Sequence, residues 1–186
     1  MKAVSIKQPW AWAILNAGKR IENRSRVDGV MPAMCSHRGP LLLCASKGVG
    51  RRDEFDEACE ILCSRVPRSK IAGFVADIHL NDRVWVPAPG LDRGGIVGVC
   101  NVVDAVHTTL GGHRWHARDD RTCLLCGGSV DERAPRCAKA DPWAVLNSFG
   151  LILDDVRPLP FTPFKGALGL FEVPESIVGP LLIEAA

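Results

Sequence analysis

In the stretch SIKQPWAWAILNAGKRIENRSR, residues 5–26, three local signals follow one another. A short strand, Ala3–Lys7, runs into Gln8-Pro9-Trp10, and Pro9 suits the first turn of a helix. Trp10, Ala13, Ile14 and Ala17 recur at i, i+3, i+4 and i+7, which predicts a helix with one apolar face. Gly18 ends it. A second strand, Ile21–Ser25, follows at once. Residues two apart share a face of a strand. Arg20, Glu22 and Arg24 are therefore expected on one face, with Ile21 and Asn23 on the other. Lys19, at the turn, can swing over the charged face.

This pattern carries specific chemistry. A carboxylate between cations stays ionised. A partly buried Lys beside it can act as a base or polarise a carbonyl. The planar forks of Arg24 and Arg26 suit phosphates or base edges. Trp10 offers a face for base stacking, and Gln8 a donor and an acceptor for a base edge. Two plainer roles stand beside these. Glu22–Arg24 can be a structural ion pair, and Trp10 or Trp12 a core side chain, with one of the two facing inward.

Further along, Leu41–Ala45 is a continuous apolar run, as in a strand covered on both faces. Asp53 can cap a helix that turns Phe55, Cys59, Leu62 and Val66 to the core. Residues 28–39 and 67–94 read as loops. Ile96–Val106 is the clearest strand, and Gly98 within it predicts a bulge or a close backbone approach. PWAVLNSFGLILDDV, residues 142–156, gives a turn and then a strand. PLPFTPFKGALGLFEVP, residues 158–174, gives a Pro-rich loop and a last strand, Ala167–Val173. Five to seven short strands with two or three helices and little βαβ repetition predict an α+β protein built on a small mixed β-barrel. The 186 residues fit one domain, 1–186, interrupted by a polar Cys/His-rich insertion at about 108–140.

The chain has a net charge of +2, but the charge is uneven. Residues 1–52 hold ten Lys/Arg against two acids, a balance of +8, so the remainder sums to −6. A basic N-terminal third predicts an anion-facing surface. No apolar run approaches the ~20 residues of a membrane span, and the N-terminus shows no signal-peptide core. A cytoplasmic protein is expected.

Eight cysteines in such a chain divide into core thiols and metal ligands. Cys44, Cys59 and Cys100 fall on apolar faces and read as core. Cys123 and Cys126 have Cys-x-x-Cys spacing, with Gly127 and Gly128 allowing a tight knuckle, and Cys137 follows. Structural zinc takes four N/S ligands, and His113 or His116 from the same insertion would complete the set. The insertion has few apolar residues, so a metal would supply its folding energy. Free thiols or a redox pair are the alternatives.

The quoted opening resembles that of the activating-signal-cointegrator homology (ASCH) domains, members of the PUA-like β-barrel superfamily. These typically begin Ser-Ile-x-Gln-Pro-Trp-Ala and continue Gly-x-Lys-x-x-Glu-x-Arg. Lys19, Glu22 and Arg24 keep that spacing, while Gly18 stands one place late. LLLCASK, GGIVGVCNVVDAVH and the closing segment with Lys165-Gly166-Ala167 are similar to later family segments, with Cys44 where many relatives have His. The resemblance implies a PUA-like barrel with a ligand cleft lined by Gln8, Trp10, Lys19, Glu22, Arg24, Ser46, Lys47 and Lys165. It implies binding of a nucleic acid, RNA ahead of DNA, or of a modified nucleotide. It also implies an alternative, a hydrolase with Lys19 and Glu22 catalytic, because active relatives cleave an acylated cytidine amide or RNA and use the matching Lys. The amidase group has Thr at the position of Glu22. A third reading makes the chain an adaptor that recruits a protein through its zinc module.

Overall fold

A computed structural model describes residues 1–24, 32–48, 52–67, 69–70, 91–109, 114–116, 123–125 and 141–184. The elements in chain order are β1 (Lys2–Ile6), α1 (Trp10–Asn16), β2 (Ile21–Arg24), a 3-10 turn (Ala33–Ser36), β3 (Gly39–Ala45), α2 (Arg52–Arg65), β4 (Gly95–Thr108), β5 (Arg114–His116), β6 (Ser148–Pro163), β7 (Leu170–Glu172) and α3 (Glu175–Glu184). The expected α+β class holds. The chain forms two compact units, and β4 and β6 give one half to each.

The first unit comprises Met1–Gly18, Leu41–Val99 and Arg157–Ala186. Its strands are ordered β7-β1-β3-β4-β6. β1 runs parallel to β3, with Ser5 opposite Cys44 and Ile6 opposite Ala45. β7 is antiparallel to β1. All of Leu41–Ala45 is buried, so the unbroken apolar run is indeed a strand covered on both faces. α2 buries Phe55, Cys59 and Leu62 of the predicted stripe and Ala58 beside them, and Val66 just past its end is buried too. Gly98 is also explained. A Cβ there would fall 2.6 Å from Leu15 Cδ2 and 2.9 Å from the Arg157 carbonyl oxygen, so only glycine allows the approach.

Three expectations change in this unit. The apolar face of α1 is Ala11, Ala13 and Ile14, while Trp10 and Trp12 are both half-buried. Neither Trp is a core residue; the small Ala side chains let the helix pack closely instead. The Pro-rich segment is not a loop, because β6 continues through it to Pro163. Pro158 and Pro160 are two apart and so lack their N–H on the same side of the strand. β2 pairs with β6 only from Phe149 to Ile152, so no β2 rung is lost there. The last strand is correspondingly short, Leu170–Glu172, and Leu168 before it is 99% exposed.

α3 is not among the elements expected above, and its Gly179-Pro180 pair is unfavourable to a helix. Pro180 nevertheless lies inside the helix. Its cost of about 3 kcal/mol is offset by burying Val178 and Leu181, each worth about 1.5–3 kcal/mol. Both join a core of Ala3, Leu42, Ile96, Val99, Leu159 and Val173.

The second unit comprises Lys19–Pro40 and Cys100–Val156. Its strands are ordered β2-β6-β4, with β5 hydrogen-bonded to β4. β2 is antiparallel to β6, placing Glu22 opposite Leu151 and Asn23 opposite Gly150. Gly150 has no room for a Cβ, which would lie 2.5 Å from the Ile21 side chain. The region expected as an insertion from about 108 begins as regular sheet. β4 extends to Thr108, and β5 pairs back on it, with Thr108 opposite Arg114 and Val106 opposite His116. The loop expected at 28–39 contains the 3-10 turn Ala33–Ser36, in which Cys35 is buried. No helix among the described residues is long and apolar enough to cross a membrane.

Candidate functional site

Within the second unit, β2 gathers Lys19, Glu22 and Arg24 into one ion-pair triad. Lys19 Nζ is 3.1 Å from Glu22 Oε2, and Arg24 Nη2 is 3.1 Å from Glu22 Oε1. Lys19 Nζ also donates to the Ile21 carbonyl. The Glu22 carboxylate thus bridges two cations, one on each oxygen. The Lys19 and Glu22 side chains are 3% and 9% exposed, and that of Arg24 is 23%. Simple alternation does not describe this arrangement. Ile21 and Glu22 are both buried, while Arg20 is exposed and donates to the Lys19 carbonyl. The strand is four residues long and at its turn end, so the pleat does not hold each side chain to a strict face.

The buried thiol of Cys100, on β4, feels the charge of Glu22. Burial pushes its pKa up to about 12, Glu22 pushes the same way, Arg20 opposes, and Asp155 raises it further. Cys59, in the first unit, is likewise pushed up to about 12, chiefly by burial. Cys44 and Cys35 are raised by burial too. These are protonated core thiols, as the sequence indicates for Cys44, Cys59 and Cys100.

The sequence assigns Asn23 no task. In the fold its Nδ2 donates to the Trp143 carbonyl at 2.8 Å, and its Oδ1 accepts from the Val145 N–H at 2.9 Å. The same turn is held from β5, where Arg114 pairs with Asp141 at 2.5 Å. Asp141 Oδ1 in turn accepts from the Trp143 N–H at 2.7 Å. A polar residue between two charged ones on a short edge strand is the only sequence signal for this role.

The remaining candidates belong to the first unit. Gln8 is buried, and both ends of its amide are engaged. Oε1 accepts from the Trp12 N–H at 3.1 Å, inside the first turn of α1. Nε2 donates to the Asp92 carbonyl at 2.8 Å. The structure therefore gives Gln8 a scaffolding task at the start of α1. Ser46 is half-buried and extends the β1–β3 ladder, its N–H donating to Ile6 O at 2.9 Å. Lys47 and Lys165 are exposed. Lys165 precedes Gly166, which sits directly against Ser5 Oγ and 3.4 Å from Cys44 Sγ, measured from an added Cβ.

Of the expected metal ligands, Cys123 is buried. Its neighbour Leu124 donates its N–H to Arg114 O at 2.8 Å, which joins this segment to β5. His113, Cys126, Cys137 and the His116 side chain lie outside the described residues, as does Arg26. No protein-family model and no curated protein matches the chain.

Proposed function

We propose that this chain is a nucleic-acid-binding domain, for RNA ahead of DNA, or a reader of a modified nucleotide, on the PUA-like barrel architecture of ASCH domains. The observation that carries this reading is the Lys19–Glu22–Arg24 triad, in which Lys19 and Glu22 are buried and Arg24 is partly exposed. Buried ion pairs contribute little net stability, and apolar residues of like volume serve a core as well or better. Three charges gathered in the second unit therefore call for a reason outside folding. Glu22 anchors one edge of the Arg24 guanidinium. An Arg fixed in this way loses less entropy when its guanidinium meets a phosphate or a base edge. Arg20, exposed beside it, adds a second cation. The motif resemblance and the +8 balance of residues 1–52 point the same way.

Zinc is proposed as a structural cofactor held by Cys123, Cys126, Cys137 and either His113 or His116. Buried Cys123, docked beside β5, fits that role. When bound, the metal would hold the polar segment together. The purified protein should then contain one equivalent of zinc, and Cys123→Ser should lower it.

The test of the function is binding of labelled single-stranded RNA and DNA across a salt series. Phosphate contacts give a linear fall of log K with log salt. Arg24→Ala should weaken binding by about 1–3 kcal/mol. Absence of binding to RNA, DNA and nucleotides at low salt would remove the proposal. A hydrolase using Lys19 and Glu22 is the second reading, favoured by the 3.1 Å approach of Nζ to the carboxylate. The near-complete burial of Lys19 weighs against it, because a catalytic amine must reach its substrate. Turnover of acylated nucleosides or RNA that Lys19→Ala abolishes would favour this second reading.

A further inference from the structure

Four separate segments of the first unit, each carrying a basic residue, come together at one end of its parallel strand pair. β1 and β3 run side by side, so their C-terminal ends lie together. Lys7 follows the last residue of β1, and Lys47 lies two residues past the end of β3. The ladder continues between them, through the Ser46 N–H to Ile6 O bond. A third segment closes on this end. Gly94 donates its N–H to Ala45 O at 2.8 Å, and an added Cβ on Gly94 would lie 3.6 Å from Lys47 Cβ. Arg93, next to it, donates from Nη1 to Lys47 O at 3.4 Å. The fourth segment carries Lys165. Phe164 donates its N–H to Gly94 O at 3.0 Å, and its carbonyl accepts from Cys44 Sγ at 3.9 Å. Gly166 packs on Ser5 and Cys44, the last rungs but one of the pair.

We propose that Lys7, Lys47, Arg93 and Lys165 form a phosphate-binding surface at the C-terminal ends of β1 and β3. Lys7, Lys47 and Lys165 are exposed, and Arg93 is half-buried. Among the described residues no carboxylate makes an ion pair with Lys47, Arg93 or Lys165. Asp92 is the acid in the same segment, and its carbonyl is fixed on Gln8. Among the described residues, Lys47, Arg93 and Lys165 stand against Asp92 alone in these segments, an excess that favours an anion. The Gln8–Asp92 bond acquires a purpose here, since it holds the segment that carries Arg93 beside the strand ends. This surface rests on the nucleic-acid or nucleotide reading above and adds to it the class of group that the first unit holds. The phosphate can belong to a nucleic-acid backbone or to a free nucleotide.

The full chain is tested against three probes: a single-stranded RNA oligonucleotide, ATP and adenosine. Variants are the double substitution Lys47→Gln/Lys165→Gln and, as control, Lys2→Gln at the opposite end of β1. The double variant should flatten the slope of log K against log salt by about 1.4 for the oligonucleotide, about 0.7 for each phosphate that is no longer neutralised. Lys2→Gln should leave it unchanged. Weakening confined to the oligonucleotide assigns the phosphate to a nucleic-acid backbone. Weakening that extends to ATP but spares adenosine assigns it to a nucleotide. Oligonucleotide binding with an unchanged slope in the double variant, or an equal fall in Lys2→Gln, overturns this surface and leaves the function standing. Failure of the wild type to bind any probe overturns both.

Discussion

Lys19 Nζ lies 3.1 Å from the Glu22 carboxylate, and neither side chain has more than a tenth of its surface in water. Glu22 also holds Arg24, so the three substitutions that break the triad are not equivalent. Glu22→Gln leaves two cations without their shared counter-charge, and one of them is buried. Removing one partner of a buried pair costs about 3–5 kcal/mol. Lys19→Met removes a cation whose partner keeps Arg24, so its cost should be smaller. Arg24→Ala should cost least, because solvent reaches that side chain. Urea midpoints at constant m-value give the order. A Glu22→Gln variant as stable as Lys19→Met would show that the carboxylate does not bridge.

Asn23 and the turn it holds give a second prediction. Its amide makes one bond with Trp143 and one with Val145. Each is worth about 0.5–1.5 kcal/mol net. Asn23→Ala should therefore cost about 1–3 kcal/mol and speed hydrogen exchange at the Val145 amide. Asn23→Asp keeps the acceptor for Val145 and loses the donor to Trp143, so it should fall between. Unchanged protection at Val145 in the Ala variant would remove the pinning role.

The contrast between Glu22 and Asn23 shows what can be read from the chain. Lys19, Glu22 and Arg24 are legible as a set because opposite charges close in sequence must find one another. The strand Leu41–Ala45 and the stripe of α2 are legible because their apolar patterns admit few alternatives. Burial of Lys19 is not legible, since it depends on what packs over the turn. The partners of Asn23 lie 120 and 122 residues away, and no local rule links them. Pro158 and Pro160 mislead for a physical reason. The cost of proline depends on whether its missing N–H had a partner, and only the neighbouring strand or the helix packing decides that. Lys7 and Arg93 stand out in no motif, because parallel pairing and the Gly94 contact bring them together.

Gly98 sits where β4 meets Leu15 and the Arg157 backbone. An added methyl group would meet a carbonyl oxygen at 2.9 Å, and a carbonyl fixed in a strand cannot step aside as a side-chain end can. Overpacking of this kind costs about 1–3 kcal/mol. Gly98→Ala should lower the urea midpoint by that amount, whereas Gly48→Ala, with open space around the added atom, should change it little. Equal stability of the two variants would mean that β4 and β6 yield at this point.

Cys59 and Cys100 make stability depend on alkaline pH. Each thiol is raised from an ordinary value of 9.0 to about 12 in the fold, mainly by burial. The unfolded chain therefore loses these protons from about pH 9 upward, while the folded chain keeps them until about pH 12. A raised folded pKa gives a contribution that is complete below pH 9 and declines between pH 9 and pH 12. The decline is about 1.4 kcal/mol per pH unit for each thiol. Unfolding free energy measured from pH 8 to pH 11 should thus fall steeply, and Cys100→Ala should flatten the slope by about 1.4 kcal/mol per unit. The same substitution lowers stability at pH 8 through the small cavity it leaves, so the two curves converge as pH rises. Mass-mapped alkylation at pH 8 gives an independent check. Exposed Cys63 should react in the folded protein, and Cys59 and Cys100 only on unfolding. Prompt alkylation of Cys100 in the native protein, or a Cys100→Ala curve parallel to the wild type, would show that its thiol is not held protonated by burial.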